Sequence, residues 1–306
     1  MSPNKLLIIS GPTATGKTSL AIKLAKKFNG QLISADSRQI YRGLDIGTGK
    51  DHPKDTNIHL IDLIDPNQSF SAAQYRLAAL ELIQKTWQSQ QLPIIVGGSG
   101  QYIDAIINPK STFSIKPNRL LRNILNHLPV KFLQYLLKLI DNETYNSLNN
   151  SDINNPHRLI RKIEVKLTFK NTNNLPLVKG GSGGIDFLHI SLTAPTSYLY
   201  QNIDKRVKKR IDLGLINEIK SLLKKYKWSD PGLNTLAYKE FKNYFKNPNP
   251  DSFQLSKEKW RFHEHSYARR QITWFKKIPK INIIDITQKD YDKVIVDLVT
   301  NWIYPK

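Results

Sequence analysis

The segment Gly11-Pro12-Thr13-Ala14-Thr15-Gly16-Lys17-Thr18 constrains this chain more than any other stretch. The apolar run Leu6 to Ser10 precedes it. From Lys17 to Phe28 it is followed by helix spacing, with Leu20, Leu24 and Phe28 beside Ala21 and Ala25. Strand, glycine loop and helix in that order make a phosphate-binding loop. Gly11 and Gly16 allow the backbone to turn successive amide N–H groups onto phosphate oxygens. Lys17 adds a point charge, the Thr18 hydroxyl is a ligand for Mg²⁺, and the helix N-terminus faces the anion. The loop therefore binds a di- or triphosphate, with ATP the first guess. It does not say what is done to it.

The next hundred residues continue the alternation. Gln31 to Ala35 reads as a second strand ending on Asp36, and His59 to Leu63 as a third. Ser71 caps a helix reaching Ser89, Pro93 to Gly98 is an apolar strand, and Gln101 to Ile107 a helix. The implied fold class is α/β, a P-loop NTPase-like parallel sheet flanked by helices. Ligands of such sheets sit at the carboxyl ends of the strands. The glycine loop, Asp36 and Gly97-Gly98-Ser99-Gly100 then border one crevice. Residues 108–170 switch to a helical pattern punctuated by Pro117, Pro129 and Asn149-Asn150-Ser151-Asp152. Gly180 to Gly184 reads as a linker, and Phe187 to Ile190 as a strand returning to the sheet. Residues 196–227 read as one long helix, 257–275 as another, and Ile281 to Ile284 as a last strand before a terminal helix. The expected organisation is a P-loop core in two parts, 1–110 and 185–306, around an all-helical insertion at 111–184.

Charge narrows the partner. The chain has 46 Lys and Arg against 25 Asp and Glu, a net charge of +21. Codon usage explains part of a lysine- and asparagine-rich composition, but the cations cluster in the second half. They concentrate at Lys205 to Arg210, at Lys224-Lys225, and from Arg269-Arg270 to Lys276-Lys277. Such a surface attracts polyanions, nucleic acid first. The absence of cysteine excludes disulfides, thiolate catalysis and cysteine-based metal sites. No apolar run is long enough to span a bilayer, and the start lacks a signal-peptide core. A cytoplasmic enzyme without a membrane partner is expected. Asp36, at a strand end beside a phosphate loop, suits a metal ligand, a general base or a structural cap.

Three further segments bear on that choice. They are Ser34-Ala35-Asp36-Ser37-Arg38-Gln39-Ile40-Tyr41, then Asp45-Ile46-Gly47-Thr48, then Val96-Gly97-Gly98-Ser99-Gly100-Gln101-Tyr102. With the glycine loop, their order resembles the tRNA dimethylallyltransferase (tRNA isopentenyltransferase) family. The resemblance continues at Pro156 to Val165, Arg206 to Leu215, Tyr238-Lys239-Glu240 and Arg269 to Phe275, so it covers nearly the whole chain. It implies transfer of a dimethylallyl group from dimethylallyl diphosphate to the N6 amine of the adenosine 3′-adjacent to the tRNA anticodon, releasing diphosphate. On that reading residues 11–18 hold the donor's diphosphate. Lys17, Thr18 with Mg²⁺, and Arg206 steady its charge, and Asp36 accepts the amine proton. Asp36, Ser37, Arg38, Gln39 and Ser99 match positions that hold the flipped base and its neighbours. His157, Arg158, Leu159, Ile160 and Arg161 match tRNA-contacting positions of the insertion. The implied partner is the anticodon stem-loop, bound by a monomer.

Departures fall elsewhere. Gly49-Lys50-Asp51 stands where many members have Ala-Lys-Pro, and Ala237 replaces a common glycine. Ser99 replaces threonine with its hydroxyl kept. Ile163 follows Lys162 where Ala-Leu is frequent, and Ser266 lies in a segment that usually carries threonine and arginine. Three other readings stay open. A small-molecule P-loop kinase would use Asp36 as base and Mg²⁺ ligand. A prenyltransferase of free adenine nucleotides would have no use for the insertion. A non-catalytic RNA-binding module would not need an intact Lys17, Thr18 and Asp36.

Overall fold

The fold is taken from a computed structural model that describes residues 4–50, 56–108, 115, 118–170 and 185–305. The first part runs β1 (Lys5–Ser10), α1 (Lys17–Lys27), β2 (Gly30–Ser34), β3 (Ile58–His59), α2 (Ala72–Gln88), β4 (Leu92–Val96) and α3 (Gly100–Ile107). A helical stretch follows, with α4 (Arg119–Leu125), α5 (Val130–Ile140), α6 (Asn142–Asn146), α7 (Asn150–Ile153) and α8 (Pro156–Lys170). The chain then runs β5 (Asp186–Thr193), α9 (Thr196–Asp212), α10 (Leu215–Leu222), α11 (Lys242–Lys246), α12 (Pro250–Phe275), β6 (Asn282–Asp285) and α13 (Tyr291–Ile303). Two compact units result: Met1–Ile107 with Gly184–Lys306, and Asn108–Gly183.

In the first unit six strands among the described residues form one parallel sheet in the order β3-β2-β4-β1-β5-β6. β1 is central and every one of its residues is buried, as a strand covered on both faces requires. Its side chains alternate between two cores. Leu6 and Ile8 join Ile33, Ile95, Ile103, Val207 and Trp260, whereas Leu7 and Ile9 join Leu20, Leu24, Ile190 and Val299. The first layer thus uses α3, α9 and α12, and the second uses α1 and α13. Parallel order puts the carboxyl ends of β1, β2 and β4 together, so their loops meet.

Most expected elements appear with ends shifted by a residue or two, and Ser71 caps α2 in a reciprocal capping box with Gln74. Three expectations need correction. The third strand is only Ile58–His59, because Leu60 and Asp62 take left-handed φ values of 63° and 56°. The single helix expected at 196–227 is two, since Gly214 at φ 98° ends one and starts the next. The helix expected from Lys257 begins at Pro250, where Asn249 forms a capping box with Ser252 and proline occupies the first turn. Asp51, Pro117 and the glycine run 180–184 lie outside the described residues.

In the second unit Leu125, Leu133, Leu137, Leu159, Ile160 and Ile163 form a separate core. Glu164 is fully buried beside it. Its carboxylate accepts from Arg122 Nε at 3.0 Å and Nη2 at 2.7 Å, from the Asn118 N–H at 2.6 Å, and from Arg161. Burial alone would raise its pKa, but these donors hold it below the usual carboxylate range.

Candidate active site

The glycine loop begins where β1 ends. Gly11 has φ 136°, and a Cβ there would lie 2.4 Å from the Leu192 carbonyl oxygen of β5, so glycine is required. Gly16, at φ 75°, caps α1. The Thr15 hydroxyl donates to the Pro12 carbonyl at 2.9 Å, and Lys17 Nζ reaches across the loop to the same oxygen at 2.6 Å. Two long-range ties hold the loop from outside. The Thr13 N–H donates to Gln271 Oε1 at 2.8 Å, and Arg206 Nη1 donates to Thr13 Oγ1 at 3.0 Å. Gln271 also donates to the Gly98 carbonyl at 2.8 Å, linking the loops after β1 and β4 through α12.

A buried histidine lies beneath the loop. His189 Nε2 pairs with Ser10 Oγ at 2.8 Å, and Nδ1 has no partner. Burial pushes its pKa down to about 4. The unfolded chain takes up this proton near pH 6.5. The resulting stability is therefore full above that pH and is lost as pH falls toward 4, by about 3 kcal/mol from this group. We expect His189→Gln to flatten the wild-type fall in unfolding midpoint across that window. A variant as pH-sensitive as wild type would remove His189 as the cause.

Opposite the loop stands Asp36, just past β2. Its Oδ1 accepts the Arg38 N–H at 2.9 Å, and Oδ2 has no protein hydrogen bond among the described residues. Ser99 Oγ accepts the Ser37 N–H at 2.9 Å and donates to Ser37 Oγ at 3.1 Å, fixing the turn after β2. The Arg38 guanidinium lies 3.8 Å over the Tyr267 ring and 3.4 Å from Glu264 Oε1. Burial opposes its charge, but Tyr267, Glu264 and Asp36 together keep its pKa above the ordinary value. Gln39 donates to the Gly49 carbonyl at 3.2 Å.

These groups line one cavity of about 420 Å³. Thr13, Lys17, Thr18, Asp36, Arg38, Gln39 and Arg206 all face it, whereas Ser37 and Ser99 brace its wall from behind. Five cationic side chains line it against two carboxylates, Asp36 and Glu264, which suits an anionic ligand. The Thr18 hydroxyl has no protein partner among the described residues and is open to a metal ion. No cluster of three metal-ligating side chains occurs among the described residues. A cation held there would take its other ligands from water and from a bound phosphate.

Sequence reading missed part of this wall. Glu264, Tyr267 and Gln271 follow Trp260 at intervals of four, three and four on α12, a one-face spacing that was legible but drew no role. Glu218 was also missed. It accepts the N–H groups of Asp45, Ile46 and Gly47 at 3.0, 2.7 and 3.1 Å and the Tyr238 hydroxyl at 2.6 Å, shaping the turn that carries Thr48 and Gly49. Ala237, beside Tyr238, takes φ 79°. That conformation costs alanine about 1–2 kcal/mol, and burial of its methyl offsets part of it.

In the second unit His157 and Arg158 are exposed, and Arg161 is half-buried against Glu164 and the Ile115 carbonyl. Arg158 also pairs with Asp152. The Leu159 and Ile160 side chains are buried in the core of that unit, so they brace α8 instead of presenting a surface to RNA.

Parallel strands, a glycine loop with lysine and threonine, and a carboxylate across one basic cavity define a P-loop enzyme. Comparison supplies the family: residues 39–278 match the IPP transferase profile, and the chain belongs to that family. It is 36% identical to the tRNA dimethylallyltransferase of Roseiflexus sp. (strain RS-1), over 97% of this chain and 98% of the relative. It is 37% identical to that of Halothermothrix orenii, over 96% and 91%. Among solved structures, the tRNA isopentenylpyrophosphate transferase of Bacillus halodurans superposes with a TM-score of 0.71 at 32% identity, covering 98% of this chain and 95% of the other. A eukaryotic dimethylallyltransferase acting on tRNA shares the fold, with a TM-score of 0.80 at 23% identity, over 98% of this chain and 79% of its own.

Proposed function

We propose that this chain transfers the dimethylallyl group of dimethylallyl diphosphate to the exocyclic N6 of the adenosine 3′-adjacent to the tRNA anticodon, releasing diphosphate. One observation carries the reading. An aspartate with an open oxygen faces the same cavity as a phosphate loop and an arginine tied to that loop. Its relatives named tRNA dimethylallyltransferase support it.

The allylic C–O bond breaks as the N6–C bond forms, and diphosphate leaves with growing negative charge. Lys17, the loop amides and Arg206 are cations and dipoles fixed in advance for that charge. Lys17 exchanges the Pro12 carbonyl for phosphate oxygens as the donor enters. The Thr18 hydroxyl and the diphosphate would hold Mg²⁺, which adds further charge neutralisation. The adenine amine is a weak nucleophile because its lone pair is delocalised into the ring. Asp36 Oδ2 takes the amine proton as attack proceeds. Arg38 N–H, bound to Oδ1, keeps the carboxylate turned toward the acceptor.

The target base leaves the anticodon-loop stack at a cost of a few kcal/mol. Arg38 and Gln39 receive it, with Ser37 and Ser99 bracing the wall behind them, and His157, Arg158 and Arg161 contact the tRNA from the helical unit, with Leu159 and Ile160 supporting them. The molecule acts as a monomer in the cytoplasm, where anticodon loops are available. Among the described residues no helix is long and apolar enough to cross a membrane.

Two measurements test acceptor choice. tRNA affinity should fall steeply with salt, because each neutralised phosphate releases counterions; a flat response contradicts an electrostatic seat. Given dimethylallyl diphosphate, the enzyme should prenylate tRNA and leave free AMP untouched. Transfer to AMP alone selects the adenylate-prenylating reading instead.

A further inference from the structure

We infer that Arg210, four residues after Arg206 on α9, is a second phosphate-oxygen anchor of the cavity. This role rests on the prenyl-transfer reading, which supplies two phosphate-bearing substrates. Three observations point to it. First, both arginines line the same cavity one helical turn apart, and Glu264 on its wall offsets part of their mutual repulsion, which a bound anion would offset further. Burial first, then Arg206, pushes the pKa of Arg210 down to about 10, so it stays charged at neutral pH.

Second, Arg210 is under-used by the protein. Its one hydrogen bond runs from Nη1 to the Gly47 carbonyl at 3.2 Å, and no carboxylate lies within ion-pair distance among the described residues. A guanidinium has five N–H donors in a planar fork suited to phosphate. By contrast Arg38 is engaged by Tyr267 and Glu264, and Arg206 by the glycine loop.

Third, a glycine makes room for it. At Gly49 a Cβ would lie 2.0 Å from Arg210 Nη2 and 2.6 Å from its Cζ. Gly49 also has φ 62°, so the turn is built to admit the guanidinium. Arg210 therefore sits between the loop side, through Arg206, and the acceptor side, through Gly49 and Gln39. The phosphate it grips is either the donor's diphosphate or a backbone phosphate beside the flipped adenosine, and the two are separable.

The test compares full-length wild type, Arg210→Gln, Arg210→Lys and Gly49→Ala. It measures affinity for inorganic diphosphate, affinity for tRNA over a salt series, and both KM values. Loss of a charged hydrogen bond to phosphate should weaken one ligand about ten- to a hundredfold in Arg210→Gln. Arg210→Lys should recover part of that loss. A backbone-phosphate role lowers tRNA affinity and reduces the slope of log K against log salt by about one, with diphosphate binding unchanged. A donor role lowers diphosphate affinity and leaves the salt slope alone. Gly49→Ala, which displaces the guanidinium without deleting it, should hurt the same ligand and serves if Arg210→Gln folds poorly. Two results overturn the inference. One is both affinities staying within twofold of wild type in Arg210→Gln and Gly49→Ala. The other is a drop in unfolding midpoint with no selective loss, the mark of a mere brace on Gly47. If wild type binds both ligands yet moves no prenyl group, the proposed function fails while the binding data still judge Arg210.

Discussion

Asp36→Asn should reduce turnover by roughly two decades or more, about 2.7 kcal/mol in activation free energy, while leaving tRNA and donor binding near wild type. The size follows from what the substitution removes. Asparagine keeps the shape and the Oδ1 acceptor for the Arg38 N–H, so the turn after β2 survives. It loses the basic oxygen that faces the cavity. An amine whose lone pair is delocalised gains most from a base in place as the new bond forms. Single-turnover kinetics with saturating donor and tRNA, alongside equilibrium binding, separate the effects. A normal chemical rate would remove Asp36 from the role of base. A fall confined to binding would make it a contact for the acceptor only.

The second large effect is structural and belongs to the helical unit. Glu164→Gln should lower that unit's stability by about 1–3 kcal/mol, because it removes the buried carboxylate charge that accepts from Arg122, Arg161 and the Asn118 N–H. A small unit with one modest core has little reserve against such a loss. Thermal unfolding followed by far-ultraviolet circular dichroism should show an early helical transition absent from wild type, and prenyl transfer to tRNA should fall with it. An unchanged melting profile would mean that the arginines find other partners or water and that the buried ion pair is dispensable.

Local features of the fold were legible from the amino acids. Strand, glycine loop and helix follow one another without intervening chain, and the burial of β1 follows from its unbroken apolar run. The second half resisted at single residues. Gly214 divides a helix whose apolar spacing passes straight across it, because a left-handed glycine leaves the periodicity of its neighbours intact. Leu60 and Asp62 shorten a strand by taking positive φ, which no residue type there announces.

The site divides the same way. Lys17 and Thr18 could be read because they open the helix after the glycine loop, and Asp36 because it follows a strand end. Glu218, Glu264 and Gln271 act through partners 173, 226 and 258 positions away and leave no local trace. Lys50 shows the limit most sharply. From sequence it is one of the 46 Lys and Arg that make up the net charge. In the fold its side chain is fully buried, paired with Asp45 at 2.7 Å and with Asp62. The net charge of +21 thus includes at least one cation that is not on the surface.

In the proposed reaction the diphosphate held by residues 11–18 is a leaving group and the acceptor is an adenine in tRNA. Nucleoside mass spectrometry of unmodified tRNA, incubated with the enzyme, dimethylallyl diphosphate and Mg²⁺, tests it most directly. The expected product carries one dimethylallyl group on N6 of the adenosine 3′ to the anticodon, dependent on Asp36, with diphosphate released in equal amount. Unmodified tRNA, accompanied by phosphate transfer from ATP to a small molecule, would contradict it.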